Sequence, residues 1–190
     1  MDVNVVVKAQ GGDQSAFASL ATESGRRMNA LAYGILRDRG LAEDAVQTAL
    51  VAIWKDLPRL REPAKFDSWS YKLLVRICYA EAKKRRQRAP ETFVLSDRDP
   101  VAPDEYRTVA DRDQLQRGFD SLSAGHRAVI VLHHYFDMPL ESVAQVLDVP
   151  AGTARSRFHR AMRALRAALE ADDRPPSTVA PTSEMQGVTK

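Results

Sequence analysis

Between Ala151 and Ala168 the sequence sets Arg155, Arg157, Arg160, Arg163 and Arg166 into a stretch that holds no acidic residue. Read as a helix, this stretch gathers Ala154, Phe158, Ala161, Met162, Leu165 and Leu169 into one apolar stripe and leaves the arginines on the remaining surface. Guanidinium groups at that density attract a polyanion, and their planar forks suit bidentate contacts to guanine edges or phosphates. Taken alone, the pattern also fits a solvated basic helix of an ordinary bundle.

The residues just upstream favour the first reading. Pro139 can open a short helix, because its fixed φ and missing N–H cost nothing in the first turn. Leu140, Val143, Ala144 and Leu147 follow at helical spacing, and the small Ala144 lets a second helix approach closely. A break at Asp148-Val149-Pro150 then separates the two helices, so Met138 to Leu169 reads as a helix-turn-helix whose second helix can enter a DNA major groove. Arg155, Ser156, His159 and Arg160 face that groove together, while Phe158, Ala161 and Met162 anchor the helix to its own domain. Arg155 and Arg160 are expected to read bases, and Arg163 to hold phosphate.

A chain of 190 residues with 44% hydrophobic content can build genuine cores, as one ordinary domain or two small ones, and is not disordered as a whole. The formal net charge is only +3, so the sequence pI of about 9.1 points to nucleic acid because its basic residues are clustered. The single cysteine, Cys78, excludes an intrachain disulfide framework and fits a reducing cytoplasm. The first residues lack the basic and apolar regions of a signal peptide, and no apolar run is long enough to span a bilayer.

The rest of the chain must position the basic helix. After a short polar opening, Asp13 can cap a helix in which Phe17, Leu20, Ala21, Met28, Leu31, Ala32 and Ile35 recur, ending near Arg37. Asp38-Arg39-Gly40 breaks it, and a second helix from about Leu41 to Leu57 opens with Glu43 and Asp44 at the positive end of its dipole. Pro58 closes that helix. Asp67 caps a third, with Phe66 and Tyr71 spaced as a hydrophobic staple; it runs through Trp69, Leu73, Leu74, Ile77 and Cys78 to the basic cluster Lys83-Lys84-Arg85-Arg86. That cluster also suits the negative end of a helix dipole. A polar stretch with Pro90, Pro100 and Pro103 then reads as a flexible linker. Order returns with Leu115 and Phe119, Ser123 caps the helix that leads into the helix-turn-helix, and the Pro- and Ser-rich tail is expected to be disordered. The predicted fold is all-α: two small helical domains, 1–86 and 111–171, joined by a linker at 87–110 and followed by a tail at 172–190.

No phosphate-binding glycine loop, nucleophile elbow or His-Glu-x-x-His pair is present, so enzymatic activity has no visible carrier, and no metal or cofactor is expected. Adjacent His133 and His134 point about 100° apart on a helix and are poorly placed for joint ligation. Cys78 lies in an apolar stripe and reads as a buried, inert thiol.

Together these segments resemble the extracytoplasmic-function group of bacterial sigma factors in the sigma-70 family, over about Gly12 to Leu169. The run Glu43-Asp44-Ala-Val-Gln47-Thr-Ala-Leu50-Val-Ala-Ile-Trp54 is similar to the family helix that docks on the beta-prime coiled coil of RNA polymerase, which implies polymerase contacts by Asp44, Gln47, Leu50 and Trp54. Phe66-Asp-Ser-Trp69-Ser-Tyr-Lys-Leu73-Leu-Val-Arg76 resembles the segment that melts and reads the minus-10 promoter element. The resemblance implies DNA contacts there by Lys65, Phe66, Trp69, Tyr71, Lys72, Arg76, Lys83 and Lys84, and aromatics beside cations suit stacking on unpaired bases. Ser70 departs from the usual Leu, Arg76 from Asn, and Ala80 from a common acid.

Gly152-Thr153-Ala154-Arg155-Ser156-Arg157-Phe158-His159-Arg160-Ala161 is similar to the start of the family helix that reads the minus-35 element. By that match Pro150, Gly152, Thr153, Arg155, Ser156, His159 and Arg160 approach DNA, while Arg157 contacts phosphate or a neighbouring helix. Asp148 replaces the usual turn glycine, and it tolerates a left-handed turn better than a bulky residue does. The resemblance implies core RNA polymerase (the beta-prime coiled coil and the beta flap), promoter DNA and an anti-sigma factor as partners. A conventional helix-turn-helix regulator with an N-terminal oligomerisation domain is the alternative.

Overall fold

The computed structural model of the chain describes residues 1–88 and 106–172, and every element among them is helical. Most of the linker and nearly all of the tail named above lie outside the described residues. The N-terminal helix α1, Val3–Gln10, occupies what the sequence suggested was a polar opening. Asp2 caps it by accepting from the Asn4 N–H at 2.9 Å, and Val6 and Ala9 are buried. Gln10 fastens its far end by donating through Nε2 to the carbonyls of Leu57 and Leu60 at 3.0 and 2.7 Å.

Helix α2, Gln14–Leu36, starts where Asp13 accepts from the Ser15 and Ala16 N–H groups at 2.9 and 3.0 Å, bonds that hold the Asp13 carboxyl below its usual pKa. It stops at Arg37, which adopts the left-handed conformation (φ 58°). Helix α3, Arg39–Asp56, begins two residues before the expected Leu41, because Asp38 caps it through the Leu41 N–H at 3.0 Å. Glu43 and Asp44 therefore sit beyond the first turn, too far from the exposed N–H groups for the dipole role first assigned to them. Its inward face is Ala42, Ala45, Val46, Ala49 and Ile53, small enough for close packing on α2.

Two 3₁₀ turns, Leu57–Arg59 and Pro63–Lys65, lead into α4, Phe66–Arg88. The expected cap at Asp67 is not formed: the helix already includes Phe66, and Asp67 lies in its first turn, where its charge still suits the dipole. The cap was misplaced because the preceding turn winds continuously into the helix.

Helix α5, Tyr106–Asp120, begins inside the segment first read as linker. Ser123 caps α6, Ala124–Ile130, as expected, and α6 runs on into a π-helical turn, Val131–Tyr135. The helix-turn-helix then follows as α7, Leu140–Leu147, and α8, Ala151–Asp172. Asp148 stands between them at φ 56°, ψ 48°, and Ala144, Ala154 and Ala161 are buried at the α7–α8 contact or beneath it.

The helix-turn-helix half packs on the first half: α6 and the π-helical turn lie against α2, and α7 against α4. Gly34 permits the closest approach, since a Cβ there would lie 2.8 Å from a methyl of Val131. Beside it, the half-buried Arg127 donates through Nε to the Ile35 carbonyl and through Nη1 to the Leu122 carbonyl, both at 2.6 Å. Burial, and then the neighbouring Arg37, lower its pKa to about 10, which still leaves it protonated at neutral pH. Arg37 completes the junction with an ion pair to Asp120 at 2.9 Å and lies over the rings of Tyr33 and Phe119. Arg127→Met keeps the apolar length but leaves both carbonyls without this donor, and should lower unfolding free energy by about 1–3 kcal/mol in urea titration.

Candidate nucleic-acid interface

Helix α8 carries its basic side outward. Arg155, His159, Arg160 and Arg163 are exposed, as are Pro150 and Gly152 at its start, and Thr153 and Ser156 are half-buried between them. Arg160 donates to the Ser156 carbonyl at 3.3 Å and to its hydroxyl at 3.1 Å, so these two present one polar surface. Arg155 reaches back to an ion pair with Glu141 on α7, which holds the Glu141 carboxyl below its usual range. The pair ties the two helices of the motif together and fixes the direction from which Arg155 leaves α8.

Arg157 turns the other way. It lies beside the buried phenol of Tyr79, whose pKa burial raises despite that nearby positive charge. It serves the contact with α4 and α6 in this arrangement, one of the two roles the sequence left open. His126 is held below its usual pKa by burial, with Arg157 and Arg160 adding to the effect, so its neutral form is favoured.

On α4 the expected aromatic platform is largely internal. Phe66 is 1% exposed and packs on Trp69 at 6.1 Å, and Tyr71 is 3% exposed with its ring 5.2 Å from Phe136. Neither offers its face to solvent in this arrangement, unlike the exposed stacking platform expected from the sequence. Burying the rings stabilises the fold, and that outweighed the exposed pattern read from the sequence. Trp69 is half-buried. Lys65 pairs with Glu62 and Lys84 with Glu81, while Lys83 is exposed. Lys72 and Arg76 both reach Asp148 in the helix-turn-helix turn, at 2.6 and 3.1 Å. No local signal could have shown that contact, because its partners lie more than 70 residues apart.

On α3, Asp44 and Gln47 are exposed one turn apart. Continuing along that face, Val51 is 54% and Trp54 42% exposed, with the Trp54 ring edge-on to Phe17 at 4.6 Å. Leu50, grouped with them from sequence, is half-buried and packs against the core. Val51 was missed, although its spacing of seven from Asp44 is the helical signal that would have found it. His133 uses Nδ1 to donate to the Met138 carbonyl at 2.8 Å, and both His133 and His134 pack against Phe158.

A basic recognition helix, behind a tight left-handed turn and a short buttressing helix, defines a helix-turn-helix DNA-binding protein. The comparisons with known proteins specify which kind. Residues 20–88 match the model of sigma-70 region 2, and residues 118–167 match that of sigma-70, region 4. The chain is 31% identical over 150 residues to the ECF RNA polymerase sigma factor SigM of Mycobacterium tuberculosis, covering 79% of this chain and 75% of that protein. It is 24% identical over 176 residues to the ECF RNA polymerase sigma factor SigW of Bacillus subtilis, covering 85% and 92%. Among solved structures it is similar to CnrH in complex with the cytosolic domain of CnrY, with a TM-score of 0.66 and 25% identity, over 90% of this chain and 98% of that one. This chain belongs to the sigma-70 family, in its extracytoplasmic-function group.

Cys78 lies beneath the α4 surface, fully buried, and desolvation pushes its thiol up to about 12. The nucleophile is the thiolate, so at pH 8 the native protein should resist thiol-reactive reagents and react only as fast as it opens. Labelling monitored by mass spectrometry, with and without denaturant, checks this.

Proposed function

We propose that the chain acts as a sigma factor through two separate surfaces: the α3 stripe of Asp44, Gln47, Val51 and Trp54 docks on core RNA polymerase, and the outward face of α8 reads the minus-35 element. The observation that carries the reading is the α3 stripe. A regulator needs only the helix-turn-helix, whereas an exposed Trp beside an exposed acid and amide supplies an apolar anchor with a polar rim, the arrangement of a protein-docking surface. Residues 1–86 would thus bind polymerase and the minus-10 element, and residues 111–171 the minus-35 element and the polymerase beta flap. The segments 87–110 and 172–190 would serve as linker and tail.

In this reading the protein performs no covalent chemistry of its own; it directs where polymerase starts. Its place of action is the cytoplasm, where promoter DNA and polymerase are found, and among the described residues no helix is long and apolar enough to cross a membrane. An anti-sigma factor is the regulator proposed here; the similarity to CnrH, whose structure was solved in complex with the cytosolic domain of CnrY, supports control by a bound protein partner.

The proposed downstream-element contacts are Lys65, Trp69, Lys72, Arg76, Lys83 and Lys84, with Phe66 and Tyr71 lying inward beside them in this structure. On α8 the exposed Arg155 and Arg160 are the base-reading pair and Arg163 the phosphate contact.

Run-off transcription with purified core polymerase tests the whole reading: the chain should start transcripts at a defined promoter, and promoter binding without initiation would contradict it. Asp44→Arg changes an exposed residue, so stability should shift by no more than about 0.5 kcal/mol. Core-polymerase association should still fall in a pull-down, and an unchanged pull-down would remove α3 from the docking surface. Alanine at Arg155 or Arg160 should cost about 1–3 kcal/mol and relax base preference, whereas Arg163→Ala should weaken all sequences alike and flatten the salt dependence. Binding isotherms on cognate and base-substituted minus-35 duplexes over a salt series distinguish the two.

A further inference from the structure

Two of the α4 cations assigned above to the minus-10 element, Lys72 and Arg76, already hold a carboxylate. Asp148 accepts from Lys72 at 2.6 Å and from Arg76 at 3.1 Å, one oxygen to each. Its backbone holds the left-handed turn of the helix-turn-helix, where glycine is the least strained residue. Aspartate at this position therefore costs some backbone strain, and what it adds is a charge aimed at α4. Behind the ion pairs, Tyr71 packs on Phe136 of the second half and Arg27 lies over both rings at 5.8 and 5.6 Å, so the two halves also meet beside Lys72 and Arg76.

Size supplies an independent argument, resting on the sigma reading. The minus-10 and minus-35 elements are about 25 base pairs apart, roughly 85 Å along B-DNA. A compact chain of this length has a radius of gyration of about 16 Å and a breadth of roughly 40 Å. The closed body cannot touch both elements at once. The segment between Arg88 and Tyr106, if fully extended, reaches roughly 60 Å, enough to let the halves part.

We propose that Asp148 is an intramolecular substitute for a DNA phosphate, a latch that holds Lys72 and Arg76 in the closed form, so that closure and binding of the minus-10 element exclude each other. The exchange is nearly balanced, since one anion replaces another on the same two cations. The ion pairs are solvent-exposed and the remaining interface, with Arg127 and Val131 at its centre, also opposes opening. Removing the carboxylate should thus raise the open fraction about three- to tenfold. When the open form is the minor one, apparent DNA affinity rises by the same factor.

The test uses the full chain labelled at Ser19→Cys and Ala167→Cys for energy transfer; the buried Cys78 does not compete for label. Both label sites are exposed and belong to opposite halves. The labelled chain is titrated with a single-stranded oligonucleotide that carries only the minus-10 element. This excludes the minus-35 contacts that a charge change in the helix-turn-helix would otherwise alter. The oligonucleotide should open the chain, and Asp148→Asn, which keeps tolerance of the left-handed turn, should open it at about three- to tenfold lower concentration. Asp148→Gly should match Asn, because both lose the carboxylate; thermal melts confirm that each variant is folded. Equal titration midpoints for wild type and Asp148→Asn would overturn the latch while leaving the sigma reading intact. A response to Asn without one to Gly would also overturn it, by removing charge as the cause. Opening in the variants with no oligonucleotide bound by any of the three proteins would overturn the exclusion of DNA, and with it the minus-10 role of α4 in the sigma reading.

Discussion

A guanidinium set between two helix ends joins the halves of this chain. Arg127, from the helix-turn-helix half, satisfies the carbonyl of Ile35 in the last turn of α2, where intrahelical donors have run out, and the carbonyl of Leu122 just after α5. Charge-assisted bonds of this length are the strong kind, and in a partly desolvated site an unmade bond is costly. The left-handed stop at Arg37 brings a second cation to the same end of α2, and Gly34 removes the side chain that would hold Val131 away. Beside that junction α7 packs on α4, which sets Asp148 against Lys72 and Arg76.

Carboxylates hold cations on both basic helices. On α8, Arg155 pairs with Glu141 while His159, Arg160 and Arg163 lie in solvent; on α4, Lys72 and Arg76 pair with Asp148 across the junction between the halves. The α3 stripe lies away from this junction, on the side of α3 opposite its buried alanines, so closure leaves it accessible. Under the proposed latch, such a chain meets polymerase and the minus-35 element while closed, and frees Lys72 and Arg76 from Asp148 on opening.

What could be read from the sequence was local. Asp13 and Ser123 were legible as caps because capping depends on residues within three positions, and Asp148 as a left-handed turn because few other residues tolerate one. The arginine face of α8 followed from a period of 3.6 residues with no competing acid. Helix α1 was missed because only Val6 and Ala9 of its eight residues are buried, too few to mark a period. The burial of Phe66 and Tyr71 was not legible because the same aromatic spacing serves a stacking platform or a core, and the cover over Tyr71 comes from the distant Phe136. The junction itself was invisible, since Arg127 and Ile35 are separated by 92 positions and nothing near either residue marks the other.

The most direct measurement is the separation between the two halves during transcription initiation. Labels on α2 and α8, followed by single-molecule energy transfer as core polymerase and then promoter DNA are added, should report a close pair in the free chain. In a promoter complex competent for transcription the pair should move apart by tens of ångströms, as the span of two DNA elements requires. A complex that starts transcripts with the halves still at their free-chain distance would contradict this.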